Sequence, residues 1–178
     1  TVASPVKPEE LIASFKNDPF DFEPGARWAY CNSGYFLLGQ VIEKVAGIPY
    51  GDFLRGQFFE PLEMKDSGVH THDAILENEA TGYSQEGDTL GKALNWDMSR
   101  AGGAGALYST VEDLARWNDG VFGGRVLSAA SLKAAFTPVT VGTVQSPPEE
   151  GYGYGWVIGK LRGVPEIQHG GGLQGFVS

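Results

Sequence analysis

One cysteine, three histidines and thirteen basic side chains are all that this 178-residue chain holds of three chemistries. With Cys31 alone no internal disulfide can form, and the redox compartment cannot be read from it. Thirteen Lys and Arg face twenty-two Asp and Glu, a formal charge of −9 with a pI near 4.7. Phosphate backbones and anionic membranes would be repelled, so nucleic acid is not expected as a partner. No apolar run approaches the roughly 20 residues that cross a bilayer, and the first residues lack the basic-then-apolar pattern of a signal peptide. Two of the histidines form His70-x-His72. With Asp73 beside them and no third ligand nearby, they read as an exposed polar loop, and neither a metal nor another cofactor is expected.

What is present is enough for an ordinary globular core: 42% hydrophobic and 12% aromatic residues, without repeats or a low-complexity linker. Pro8 followed by Glu9 and Glu10 suits a first helical turn, so a short helix is expected through Phe15. Asn32 or Ser33 can cap a longer helix, in which Phe36, Leu37, Val41, Ile42 and Val45 recur at helical spacing until Gly47 ends it. Another helix is expected from about Pro49 toward Phe59. Residues 66–95 are polar and turn-rich and read as a surface excursion with short strands. After the cluster Gly102-Gly103-Ala104-Gly105, Ser109 or Thr110 with Glu112 or Asp113 three residues on forms a capping box. Residues 128–136 read as a further helix that Pro138 stops. Beyond a Ser146-Pro147-Pro148 loop, residues 152–158, 164–168 and 174–177 read as strands of one antiparallel sheet.

Two short strings far apart carry the chemistry: Tyr30-Cys31-Asn32, leading into Ser33-Gly34-Tyr35, and His169-Gly170-Gly171-Gly172. Either alone is a weak pattern. Their order and the segments between them, Phe22 to Tyr30, Phe58 to Gly68, Ala101 to Trp117 and the string Tyr152-Gly153-Tyr154-Gly155-Trp156, make the joint pattern specific. Nearly the whole chain resembles the superfamily of serine β-lactamases of class C, penicillin-binding proteins, D,D-peptidases and esterases. The resemblance implies an α+β fold in which a helical region, about 8–136, packs beside an antiparallel sheet, about 150–178. Residues 1–178 would then be one partial domain of the β-lactamase/transpeptidase type. The family's nucleophilic Ser-x-x-Lys is expected upstream of the first residue and its last strands beyond the final one, so the chain reads as a fragment of an enzyme.

By the same resemblance, Tyr30 is the general base of acylation and later the acid that protonates the leaving group. Asn32 holds the substrate's acyl side chain or the motif lysine, and His169 stands where the family usually has the lysine of Lys-Thr-Gly. Gly170, Gly171 and Gly172 let a substrate backbone lie close, and the Gly172 N–H is half of an oxyanion hole. The chemistry is coherent. A serine hydroxyl needs a base within hydrogen-bonding reach, and a phenol with an ordinary pKa of about 10 serves only where positive charge favours phenolate. Each residue also has a plain structural reading: Tyr30 as a half-buried aromatic, Asn32 as a helix cap, His169 as a polar strand end. Cys31 reads as a small buried filler rather than a nucleophile.

Ser4-Pro5-Val6-Lys7 satisfies Ser-x-x-Lys, but Pro8 would truncate the helix that must place the lysine one turn after the serine. It is not taken as the nucleophile. The expected substrate is a small ester, a peptide ending in D-amino acids or a β-lactam. The histidine at 169 favours the peptidase and esterase branches, and relatives of this kind favour a periplasmic or secreted protein. The fragment alone is expected to be inactive and to self-associate through its incomplete sheet. The competing reading is a non-catalytic binding or assembly module on the same fold.

Overall fold

The computed structural model describes residues 2–71, 73–141 and 151–178. His72 and the Ser146-Pro147-Pro148 loop lie outside the described residues. The chain divides into two compact units: Thr1–Asp18, Cys31–Arg116 and Gly171–Ser178 form one, Pro19–Tyr30 and Trp117–Gly170 the other.

The first unit is built on helices. Pro8–Phe15 forms α1, with Pro8 in its first turn, as the sequence predicts. Asn32–Ala46 forms α2. Cys31, extended at φ −142° and ψ 107°, takes the N-cap position without a side-chain bond, so Asn32 is the first helical residue and neither it nor Ser33 is the cap. Gly47 stops the helix at φ +71°, its N–H returning to the Glu43 carbonyl at 2.8 Å. Glu43 then spans the corner, accepting from the Gln40 amide and from the backbone N–H of Tyr50 at 2.9 Å. Tyr50–Leu54 forms α3, which widens into a π-turn over Arg55–Phe59 instead of running on as one α-helix.

Small residues decide how close α2 can come to the glycine cluster. A Cβ on Gly103 would fall 2.7 Å from the Tyr35 carbonyl oxygen, and one on Gly39 would fall 3.1 Å from the Gly103 nitrogen. This is backbone against backbone: a side chain at 103 would force a shift, and one at 39 would be tight. Phe36, Leu54, Phe59, Leu62, Met64, Ala101 and Ala106 are the buried hydrophobic residues of this unit among those described. Two short antiparallel pairs lie in the polar stretch and just after it. Gly68–Val69 (β1) pairs with Leu107–Tyr108 (β4), and Tyr83–Glu86 (β2) pairs with Thr89–Lys92 (β3). Strands therefore occur within the helical region as well as after it. Val111–Phe122 forms α4, and of the two capping-box candidates Thr110 is used, its hydroxyl accepting from the Asp113 N–H at 3.2 Å.

The second unit holds Ala129–Ala135 (α5), capped by the Ser128 hydroxyl, and one three-stranded antiparallel sheet. Gly151–Tyr152 (β5) pairs with Val157–Leu161 (β6), which pairs with Val164–Gln168 (β7). Leu161 faces Val164 across the two-residue turn Arg162-Gly163, both at positive φ (+53° and +82°). That is the type I′ turn whose twist matches the strands. Phe136 stacks on Phe122 and meets Trp156 edge-on, each at 5.6 Å between ring centroids. The last predicted strand does not join this sheet. Gly172–Leu173 (β8) and Phe176–Val177 (β9) close on each other as a separate hairpin within the first unit.

Candidate active site

Glu23-Pro24-Gly25-Ala26 turns the chain, with Gly25 at φ +82° and the Ala26 N–H bonded to the Glu23 carbonyl. The stretch after it is not helical, and Trp28 and Tyr30, two residues apart, both meet the ring of Tyr152 on β5. Trp28 stacks on it at 5.5 Å with 17° between planes, and Tyr30 meets it edge-on at 6.3 Å. His169 follows directly on β7. Its imidazole lies 5.7 Å from the Tyr30 ring at 45° and 5.8 Å from the Tyr152 ring. Four rings from three segments of the chain thus gather in one unit, with Trp28 and Tyr30 still about half exposed at 48% and 49%.

Two hydrogen bonds fix the imidazole. Nδ1 lies 2.7 Å from the Gly170 carbonyl oxygen, and Nε2 lies 2.9 Å from the Tyr152 hydroxyl. A carbonyl only accepts, so Nδ1 carries a hydrogen. In the neutral ring Nε2 is then the acceptor and Tyr152 the donor. In the protonated ring the hydroxyl reverses and accepts. An open cleft of about 470 Å³ borders the same sheet, lined among others by Trp28, Tyr152, Lys160, Glu166 and Gln168.

The remaining expected residues belong to the first unit. Asn32 is exposed at the start of α2. Gly171 and Ser178 exchange two backbone hydrogen bonds, at 3.1 and 3.0 Å. Gly172, next in register and opposite Val177, is therefore a non-bonded pair whose N–H points away from the hairpin. Cys31 is exposed rather than buried, because at the N-cap no turn of helix covers it. His70 bonds Glu79 at 3.1 Å. No group of three or more His, Cys, Asp and Glu able to hold a metal occurs among the described residues.

Tyr152 and Trp28 are the members that sequence reasoning missed. Both lie in strings already singled out, and the i, i+2 spacing of Trp28 and Tyr30 is the signal that puts them on one face.

The model of the Beta-lactamase family matches residues 1–178. The chain belongs to that family. Among curated Beta-lactamase family relatives it is 33% identical to penicillin-binding protein 4 of Amycolatopsis lactamdurans over 89% of this chain and 44% of that protein. It is 29% identical to penicillin-binding protein 4* of Bacillus subtilis over 87% of this chain and 37% of the relative. Of solved structures, a D-stereospecific amidohydrolase from Streptomyces sp. superposes with a TM-score of 0.83 at 34% identity, covering 96% of this chain and 51% of that one. The mixed helical and antiparallel architecture is thus that of the Beta-lactamase family, and the chain spans about half or less of the length of these relatives.

Proposed function

We propose that this chain carries the tyrosine base and the glycine-rich oxyanion edge of a hydrolase that works through an acyl-serine intermediate. The observation that carries the reading is the 5.7 Å approach of the Tyr30 and His169 rings from opposite ends of the sequence. Tyr30 takes the serine proton during attack and returns it to the leaving group, provided positive charge stabilises its phenolate. The lysine of Ser-x-x-Lys supplies that charge, and His169 adds to it when protonated. Asn32 holds the acyl side chain or the lysine through its amide. The Gly172 N–H is half of the oxyanion hole, a role its direction away from the hairpin supports, and the serine's own N–H is the other half. Gly170 and Gly171 leave room for a substrate backbone.

The nucleophile is not Ser4. Its string is the only Ser-x-x-Lys in the sequence, and it lies outside any helix: Lys7 is the extended N-cap of α1 at φ −75° and ψ 145°. The Ser4 carbonyl accepts from Arg100 and the Val6 N–H donates to Ser99. In this reading the serine belongs to sequence beyond these 178 residues. The second reading is a binding or assembly module on this fold without a nucleophile.

The substrate class in this proposal is an ester, a peptide with D-amino acids or a β-lactam. A D-aminopeptidase of Brucella ovis, 29% identical over 87% of this chain and 29% of that protein, supports the peptide branch. A D-amino acid amidase of Ochrobactrum anthropi supports it too, with a TM-score of 0.81 at 28% identity over 98% of this chain and 52% of that one. Labelling with a fluorescent penicillin or phosphonate tests the enzyme reading. The gene product containing this sequence takes up label and loses it when the serine of an upstream Ser-x-x-Lys is changed to alanine, whereas residues 1–178 alone take up none. A gene product that folds and never labels hands the case to the binding module.

A further inference from the structure

We infer that Tyr152 is a positioning residue that fixes the tautomer and the ring orientation of His169, with Trp28 holding Tyr152 to that task. His169 is exposed, comes directly after β7 and is followed by three glycines, which offer no side chains to pack against it. Besides its ring contacts with Tyr30 and Tyr152, what sets its orientation is the pair of hydrogen bonds it makes, to the Gly170 carbonyl at 2.7 Å and to the Tyr152 hydroxyl at 2.9 Å. The first places a hydrogen on Nδ1. In water the neutral imidazole prefers its hydrogen on Nε2, so the protein must hold the less common form. The hydroxyl of Tyr152 does this by donating to Nε2.

Tyr152 is itself restrained from three sides. Its backbone pairs with Val157, its carbonyl accepts from the Val139 N–H at 2.9 Å, and its ring lies almost flat on Trp28. A tyrosine hydroxyl can both donate and accept, so the same contact survives when His169 gains a proton: Nε2–H then donates to the Tyr152 oxygen. The imidazole changes charge without changing place, and its distance from Tyr30 is kept. Phenylalanine at 152 would keep the stack and lose the hydroxyl, leaving Nε2 without the donor that selects its tautomer.

Only the kinetic half of the test rests on the hydrolase reading. Two-bond ¹⁵N–¹H correlation spectra of residues 1–178, with His70 and His72 changed to glutamine for assignment, report the tautomer directly. We expect the Nδ1–H form with Tyr152 present and a majority Nε2–H form in Tyr152→Phe, while Trp28→Phe keeps the native form and Trp28→Ala mixes the two. An Nε2–H ring in the unsubstituted protein overturns the inference without any variant, as does a folded Tyr152→Phe protein that keeps Nδ1–H. In an active gene product, Tyr152→Phe lowers kcat/KM roughly 10- to 100-fold. An unchanged kcat/KM together with an altered tautomer would count against the catalytic use of His169 and leave the positioning intact.

Discussion

The Ser67 hydroxyl donates to Oδ2 of Asp113 at 2.8 Å, and that carboxylate has no exposed surface at all. The Asp66 N–H reaches the same oxygen at 2.8 Å, and Arg116 pairs with Oδ1 from one turn along α4. A residue that reads as one of two candidates for a helix start is thus the anchor of a distant loop. Asp113→Ala strands the Asp66 donor and leaves Arg116 without its partner, at a cost of roughly 3 kcal/mol, because hydrogen bonds to a buried charge are the expensive ones to lose. Urea denaturation measures it, and a loss within the error of the fit would show that the anchor is dispensable.

Gly153 sits where a Cβ would come within 2.0 Å of the Ala135 carbonyl oxygen, at the end of α5. Gly159, on β6, has nothing within 4 Å of the same position. Gly153→Ala should therefore destabilise by about 2 kcal/mol or more while Gly159→Ala stays near neutral, a contrast that overpacking predicts and strand propensity does not. Differential scanning calorimetry of the pair separates the two accounts.

Burial pushes the Tyr50 phenol above the ordinary tyrosine value. The folded state then favours the protonated form, and its contribution to stability is complete below a pH of about 10 and fades as pH rises through the raised folded-state value. Unfolding titrations from pH 8 to 12 should show an alkaline loss that Tyr50→Phe reduces. A variant just as sensitive to alkali as the parent would assign that loss to other groups.

Tyr30→Phe removes the hydroxyl of a half-exposed ring, so circular dichroism should be unchanged. In a gene product that labels with penicillin or phosphonate, the acylation rate should fall by roughly 10²- to 10⁴-fold, the usual worth of a positioned base. Undiminished labelling would remove Tyr30 from the proton path.

Assembly is a separate question. Leu38, Val41 and Val45 stand out from α2 with more than half of their surface exposed, Val45 at 82%. Sedimentation of residues 1–178 should show species heavier than 19.1 kDa. A stable monomer with a native melting curve argues against self-association.

What could be read from the residues alone was local. Pro8 with two acids, Gly47 past a periodic run and Thr110 three residues before Asp113 each announce a helix end, because the physics of an end is spent within one turn. The π-turn at Arg55–Phe59 left no such mark. The separate hairpin at 172–177 was hidden because period-2 patterning does not say which strand a strand will pair with. The two strings of the site were legible as types of residue. That Tyr152 would take Nε2 of His169 was not, since the bond joins residues brought together by the sheet. Asp113 shows the same limit from the other side: its place in the capping box could be read, its burial against Ser67 could not.

The turn at Arg162-Gly163 also has a consequence for time. Because it joins β6 to β7 through two residues, that hairpin closes on the microsecond scale of local loops, and the strand leading to His169 is built early. Tyr30 must arrive from the far end of the chain after a long loop closure, the slower kind of event. Refolding is therefore expected to form the hairpin before the two rings meet.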